Sequence, residues 1–297
     1  LWGKAVALKL GIPFVSSTTT FAFNQHSAKI MKQGLGDLVK MLFSVPRTSK
    51  QVKRLKDKGY PVNNILDIIG NDDNTHTIVY TSPQFQPYSE TFSDKYTFVG
   101  PSIRNSTEEI EKNKDKLIYI SMGTVNNDML PFYKECISVF KDTPYQIIMS
   151  VGKQVPIDTF GELPENISVY HHVDQIAVLK KADVFVSHCG MNSVSEALYY
   201  GVPLVMLPRT SEQGGVATTV HGNGRDGNAG GHLDRSQQGI QTVHHAALAG
   251  NADDGQGGVG GNGTGQMGGH ACGADQCTET ICSCVYSKIT GLHRGAV

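Results

Sequence analysis

From Leu117 onward, short apolar runs recur between polar and glycine-bearing breaks: Leu117 to Ser121, Gln146 to Val151, Ile167 to His171, Val184 to Val186 and Leu204 to Leu207. These runs are rich in Ile and Val and lack a period of two, as expected for strands covered on both faces of a parallel sheet. Between them, Leu130 to Phe140, Gln175 to Lys180 and Val194 to Tyr200 read as helices. Asn192-Ser193 supplies cap-type side chains ahead of the last helix, and Gly201-Val202-Pro203 stops it. The alternation predicts a doubly wound α/β unit, with ligands beyond the carboxyl ends of its strands. Gly123, Gly152 and His188-Cys189-Gly190 all fall at such ends.

The earlier part of the chain alternates less regularly. Trp2 to Leu10 has helical composition and ends at Gly11-Ile12-Pro13, and Pro13 to Ser17 reads as a strand entering the polar Thr18-Thr19-Thr20. Ala28 to Phe43 carries apolar residues at helical spacing, Gln51 to Lys58 reads as a basic, solvated helix face, and Thr77 to Thr81 as a strand followed by extended Ser82 to Pro87. Phe98 to Ser102, with the polar Arg104 to Asp115 behind it, reads as a linker between domains. The resulting division is 1–103 for a partial amino-terminal domain, 104–116 for the linker, 117–218 for an incomplete second domain and 219–297 for a tail.

Composition changes this picture at the tail. From Thr219 onward lie 19 of the 33 Gly and no Pro, Phe or Trp, a stretch that cannot bury enough apolar area to offset chain entropy. Periodicity is absent over Gly222 to Gly269, so the expectation is a product of a shifted reading frame near Ala217, with a disordered Gly-rich tail as the alternative. A start at Leu1 inside a helical pattern suggests a fragment. A length of 297 residues suits two domains, and a formal net charge of −1 gives no field for capturing nucleic acid or an anionic membrane. No apolar run approaches the roughly 20 residues of a membrane helix, and no signal peptide is seen, so the expected location is cytoplasmic.

The chemistry concentrates between Ala182 and Ala217. A strand, a tight glycine turn and a helix N-terminus form a geometry for phosphate, which points to a nucleotide-type ligand. Other motifs fail their context. Gly222 to Gly227 fits G-x-G-x-x-G, but no helix-forming run follows it. Cys272, Cys277, Cys282 and Cys284, near His270, match no common zinc spacing, so no metal site is expected. Cys136 and Cys189 read as reduced thiols. Three glycosylation sequons, at Asn105, Asn166 and Asn262, carry little meaning without a secretory route.

The residues FVSHCGMNSVSEALYYGVPLVMLPRTSEQ, 185 to 213, resemble the donor-binding signature of family 1 nucleotide-sugar glycosyltransferases, closest to the bacterial macrolide-type branch that uses UDP-sugars. LIYISMGT at 117–124, HHVDQIAVLKKAD at 171–183 and LWGKAVALKLGIPFVSSTTTFAFN at 1–24 resemble further segments of that family. The resemblance implies a GT-B fold of two Rossmann-like domains with parallel sheets. It implies that His188 donates to the diphosphate, that Gly190 admits the phosphates closely, and that Asn192 and Ser193 present donors at the helix N-terminus. Glu196 would accept from the ribose, and Glu212 and Gln213 would hold the sugar hydroxyls. Gln175, with Val173 before it, would lie near the uridine, and Ser121 and Gly123 would line the diphosphate and sugar. Asp174 stands where the family has Pro.

The reaction so implied is inverting transfer of a hexose, glucose by expectation, from a UDP-sugar to a hydroxyl of a hydrophobic small molecule such as a macrolide or flavonoid. UDP-sugar is a co-substrate, and no cofactor or metal is required. The general base is expected upstream of Leu1; His26, after Phe23-Asn24-Gln25, does not match it, and this chain is expected to be impaired. A GT-B nucleotide-sugar epimerase and a non-catalytic UDP-sugar-binding module stand as alternatives.

Overall fold

The computed structural model describes residues 2–24, 26–27, 49–62, 75–124, 129–225 and 244–245. The predicted helix over Ala28 to Phe43 and the Cys272–Cys284 cluster lie outside them. The chain divides into two compact units. One holds Leu1–Asn105, Cys189–Gly201 and Thr210–Ile240; the other holds Ser106–His188, Val202–Arg209 and Gln241–Val297.

In the first unit, helix α1 spans Trp2–Leu10. Gly11, with φ of 64°, ends it in a paired closure: the Gly11 N–H donates to Leu8 O and the Ile12 N–H to Ala7 O. A left-handed residue is needed there, and glycine adopts it without a Cβ clash. A second helix, α2, covers 49–57. Its Val52 packs with Ala5 and Val62 in a small core, so α2 is solvated on one side only. Strands β1 (Ser16–Thr18), β2 (Thr77–Val79) and β3 (Tyr96–Phe98) form a three-stranded parallel sheet in that order. Strand β3 corrects the linker reading: Phe98 belongs to the sheet, in register with Val79.

In the second unit, β4 (Leu117–Ser121), β5 (Gln146–Ser150), β6 (Ile167–Tyr170), β7 (Val184–Ser187), β8 (Leu204–Met206) and β9 (His244–His245) form one sheet. The order is β6-β5-β4-β7-β8-β9, and every pairing is parallel. All residues of β4 and β5 are buried, which is why no alternation marked them. Helix α3 (Leu130–Phe140) presents Phe132, Tyr133, Cys136 and Phe140, at three- and four-residue steps, to this core. Helix α4 (Gln175–Leu179) connects β6 to β7.

Two further helices belong to the first unit. Helix α5 spans Met191–Tyr199, three residues earlier than the sequence suggests. Gly190, in an extended conformation, is its N-cap with no side-chain capping bond. Asn192 and Ser193 therefore lie in the first turn rather than before it. Helix α6 spans Ser211–Arg225 and passes through Thr219 and Gly222, where composition had argued against periodic structure. Buried Val216, Ala217 and Val220 anchor one side of it, and packing outweighs the low helix propensity of its glycines. Among the described residues, no helix is long and apolar enough to cross a membrane.

Candidate functional site

The direction of strand succession in the six-stranded sheet reverses between β4 and β7: β5 and β6 lie to one side, β8 and β9 to the other. Such a switch point opens a crevice at the strands' carboxyl ends. Ser121 and Ser187 are in register there, both buried, as the last residues of β4 and β7. The next residues in the chain are Met122-Gly123 on one strand and His188 on the other. Gly123 has φ of 87°, and a β-carbon built on it would stand 2.7 Å from His188 Nε2 and 2.8 Å from Cε1. The imidazole is thus seated on bare backbone, and only glycine leaves room for it.

Beyond His188, Cys189 has φ of 68°, unusual for a residue with a side chain, and is fully buried. This turn leads the backbone through Gly190 into α5, whose first N–H groups lack intrahelical acceptors.

The β6–α4 turn holds the next pair. Asp174 N-caps α4: its Oδ1 accepts from the N–H groups of Ile176 (2.9 Å) and Ala177 (3.1 Å). Its Oδ2 accepts from the Ser106 hydroxyl at 2.9 Å. Asp174 thus supplies the helix start itself. Gln175 opens α4 and accepts through Oε1 from the Tyr119 hydroxyl at 3.3 Å, and Val173 before it is half-buried. Tyr119 stacks on Phe185 at 4.6 Å, so the core of the sheet sets the glutamine's orientation.

In the first unit, Asn192 and Glu196 line a cavity of about 370 Å³ together with Ser17, Thr19, Tyr80 and Ser102. Ser193 is half-buried in the same helix turn. Glu212 and Gln213 start α6. Thr210 and Gln213 form a reciprocal capping box: the Thr210 N–H donates to Gln213 Oε1 at 3.2 Å, and the Gln213 N–H donates to Thr210 Oγ1 at 3.3 Å. Glu212 Oε1 accepts from the Thr20 hydroxyl at 2.7 Å.

Sequence reasoning passed over Ser17, Thr19, Tyr80, Ser102 and Thr20. The signal available for three of them was the polar run Ser17 to Thr20 at the carboxyl end of a parallel strand. His26 packs its ring against Tyr88, with centroids 6.4 Å apart. Among the described residues, no group of three His, Cys, Asp or Glu side chains is placed to hold a metal.

Residues 105–243 match the family model described as UDP-glucoronosyl and UDP-glucosyl transferase. The chain is 36% identical to the NDP-glycosyltransferase YjiC of Bacillus licheniformis over 71% of this chain and 52% of that protein. It is 29% identical to the demethyllactenocin mycarosyltransferase of Streptomyces fradiae, over 73% of this chain and 48% of the relative. The crystal structure of the kitacinnamycin glycosyltransferase covers 74% of the chain, with 58% of its own length matched, at a TM-score of 0.61 and 29% identity. The chain spans about half the length of the curated relatives it matches. Its α/β fold with parallel sheets is of the GT-B type, as in these glycosyltransferase structures. In its sheet topology and over residues 105–243, the chain is similar to the family of UDP-glucoronosyl and UDP-glucosyl transferases.

Proposed function

We propose that the chain carries the donor site of an inverting UDP-hexosyltransferase, which passes glucose from UDP to a hydroxyl of a hydrophobic small molecule. The observation that carries this reading is the seat of His188 on Gly123 at the sheet's switch point. An imidazole at the end of a buried strand, beside bare backbone, suits the donation of a hydrogen bond to a diphosphate.

In this reading His188 donates to the diphosphate, and the N–H groups after Gly190 add the partial positive charge of a helix N-terminus. Asn192 and Ser193 supply further donors, and Ser121 and Gly123 border the phosphates. Val173 and Gln175 face the uracil, Glu196 accepts from the ribose hydroxyls, and Glu212 and Gln213 recognise the sugar. Attack by the acceptor oxygen forms a new bond to the anomeric carbon as the bond to the β-phosphate oxygen breaks. The electron pair departs with UDP, and the charge that develops there meets donors already in position. This electrostatic support makes a metal unnecessary to the reading. The acceptor proton passes to a base to which we assign no residue. One relative, the YjiC protein of Bacillus licheniformis, is an NDP-glycosyltransferase, which supports a nucleotide-sugar donor.

The test is incubation with UDP-glucose and a flavonoid or macrolide, followed by mass spectrometry and analysis of anomeric configuration. A β-glucoside supports the reading. An epimeric UDP-sugar without transfer favours the epimerase alternative, and retained UDP binding without either product favours a binding module.

A further inference from the structure

We infer that Thr20 is the positioning residue for Glu212 and thereby helps the site tell a sugar nucleotide from the nucleotide alone. This inference rests on the donor reading above, in which Glu212 meets the sugar. Thr20 and Glu212 are 192 residues apart in sequence, yet the threonine hydroxyl donates to Glu212 Oε1 at 2.7 Å. That is the short distance of a hydroxyl bonded to a carboxylate, a class stronger than neutral pairs. One oxygen so held leaves the carboxylate to accept a sugar hydroxyl through Oε2, with fewer rotamers to lose on binding.

Both partners are fixed from behind. On the Thr20 side, the Thr18 hydroxyl donates to the Thr20 carbonyl at 3.4 Å, and the Tyr80 N–H ties Thr18 O to the end of β2 at 3.0 Å. On the Glu212 side, the capping box of Thr210 and Gln213 sets the first turn of α6. Glu212 is itself exposed, and a solvated glutamate on a helix start would otherwise sample several rotamers. The hydroxyl chooses one.

The test is calorimetric titration of the full chain with UDP and, separately, with UDP-glucose. Thr20→Val is expected to weaken UDP-glucose binding about five- to tenfold, the worth of one lost hydrogen bond, and to leave UDP affinity within about twofold. Thr20→Ser keeps the hydroxyl and is expected to restore UDP-glucose affinity. In Thr20→Val/Glu212→Ala the two losses should not add, because Thr20 acts only through Glu212. Equal weakening of both ligands by Thr20→Val, no weakening of either, or additive losses would each overturn this inference while UDP binding stands. If the unmodified chain binds neither ligand, the donor reading falls, and this inference with it.

Discussion

The imidazole of His188 occupies the space that a side chain at residue 123 would fill, with Nε2 2.7 Å from where a β-carbon would stand. The two residues extend the adjacent strands β4 and β7, whose last residues, Ser121 and Ser187, are in register. Glycine at 123 is therefore a requirement of the histidine's position as much as of its own backbone.

Gly123→Ala tests that dependence. The substitution adds a methyl at a left-handed backbone position, which costs about 1–2 kcal/mol, and pushes the ring from its seat. We expect UDP affinity to fall at least about tenfold, more than the stability loss alone explains for a chain that remains folded, as read by circular dichroism beside the titration. Unchanged affinity would mean that the seat is not used for binding.

Gln213 caps α6 together with Thr210, and the proposed function gives it a second role at the sugar that substitution can separate from the first. Gln213→Ala removes the acceptor for the Thr210 N–H and should cost about 0.5–2 kcal/mol in denaturant unfolding. Gln213→Glu keeps the acceptor and should preserve stability while altering affinity for UDP-glucose, because the amide donors are lost. Equal destabilisation by both variants would contradict the capping assignment.

Asp183 gives the fold a pH dependence. Burial alone would raise its pKa, but bonds from Lys112 at 2.7 Å, the Leu117 N–H at 2.8 Å and Lys116 at 3.2 Å prevail. The carboxyl therefore titrates below its ordinary value. In the interval between folded and unfolded pKa values the unfolded chain binds the proton, so stability rises with pH there. The contribution is whole above the unfolded value of about 3.9 and is lost as pH falls through the lower folded value. Asp183→Asn should lower stability at neutral pH by about 1–2 kcal/mol and flatten the acid limb of the stability curve. An unchanged acid limb in urea unfolding would contradict this.

The parts of the fold legible in the sequence are those set by burial and local breakers. Strand β4 and helix α3 begin and end where the apolar runs and their helical spacing do, because a two-sided core leaves no other pattern. Strand β3 was hidden, since its three residues run straight into Val99-Gly100-Pro101, which reads as a loop. The start of α5 was misread because an extended glycine, rather than the side chains of Asn192 and Ser193, makes its N-cap. His188, Gly123 and Gln175 were singled out through their motif. Their supports were not: the Tyr119 hydroxyl on Gln175, the Asp174 cap and the Thr20 bond to Glu212 join residues whose proximity only the folded chain creates.

In the proposed function His188, seated on Gly123, holds the diphosphate of a UDP-sugar. The most direct measurement is the affinity of the intact chain for UDP, by calorimetry, beside that of His188→Ala at matched folded content. Loss of a hydrogen bond to a charged phosphate predicts weakening by about ten- to a hundredfold. UDP binding that is indifferent to His188, or no UDP binding by the unmodified chain, would contradict the account.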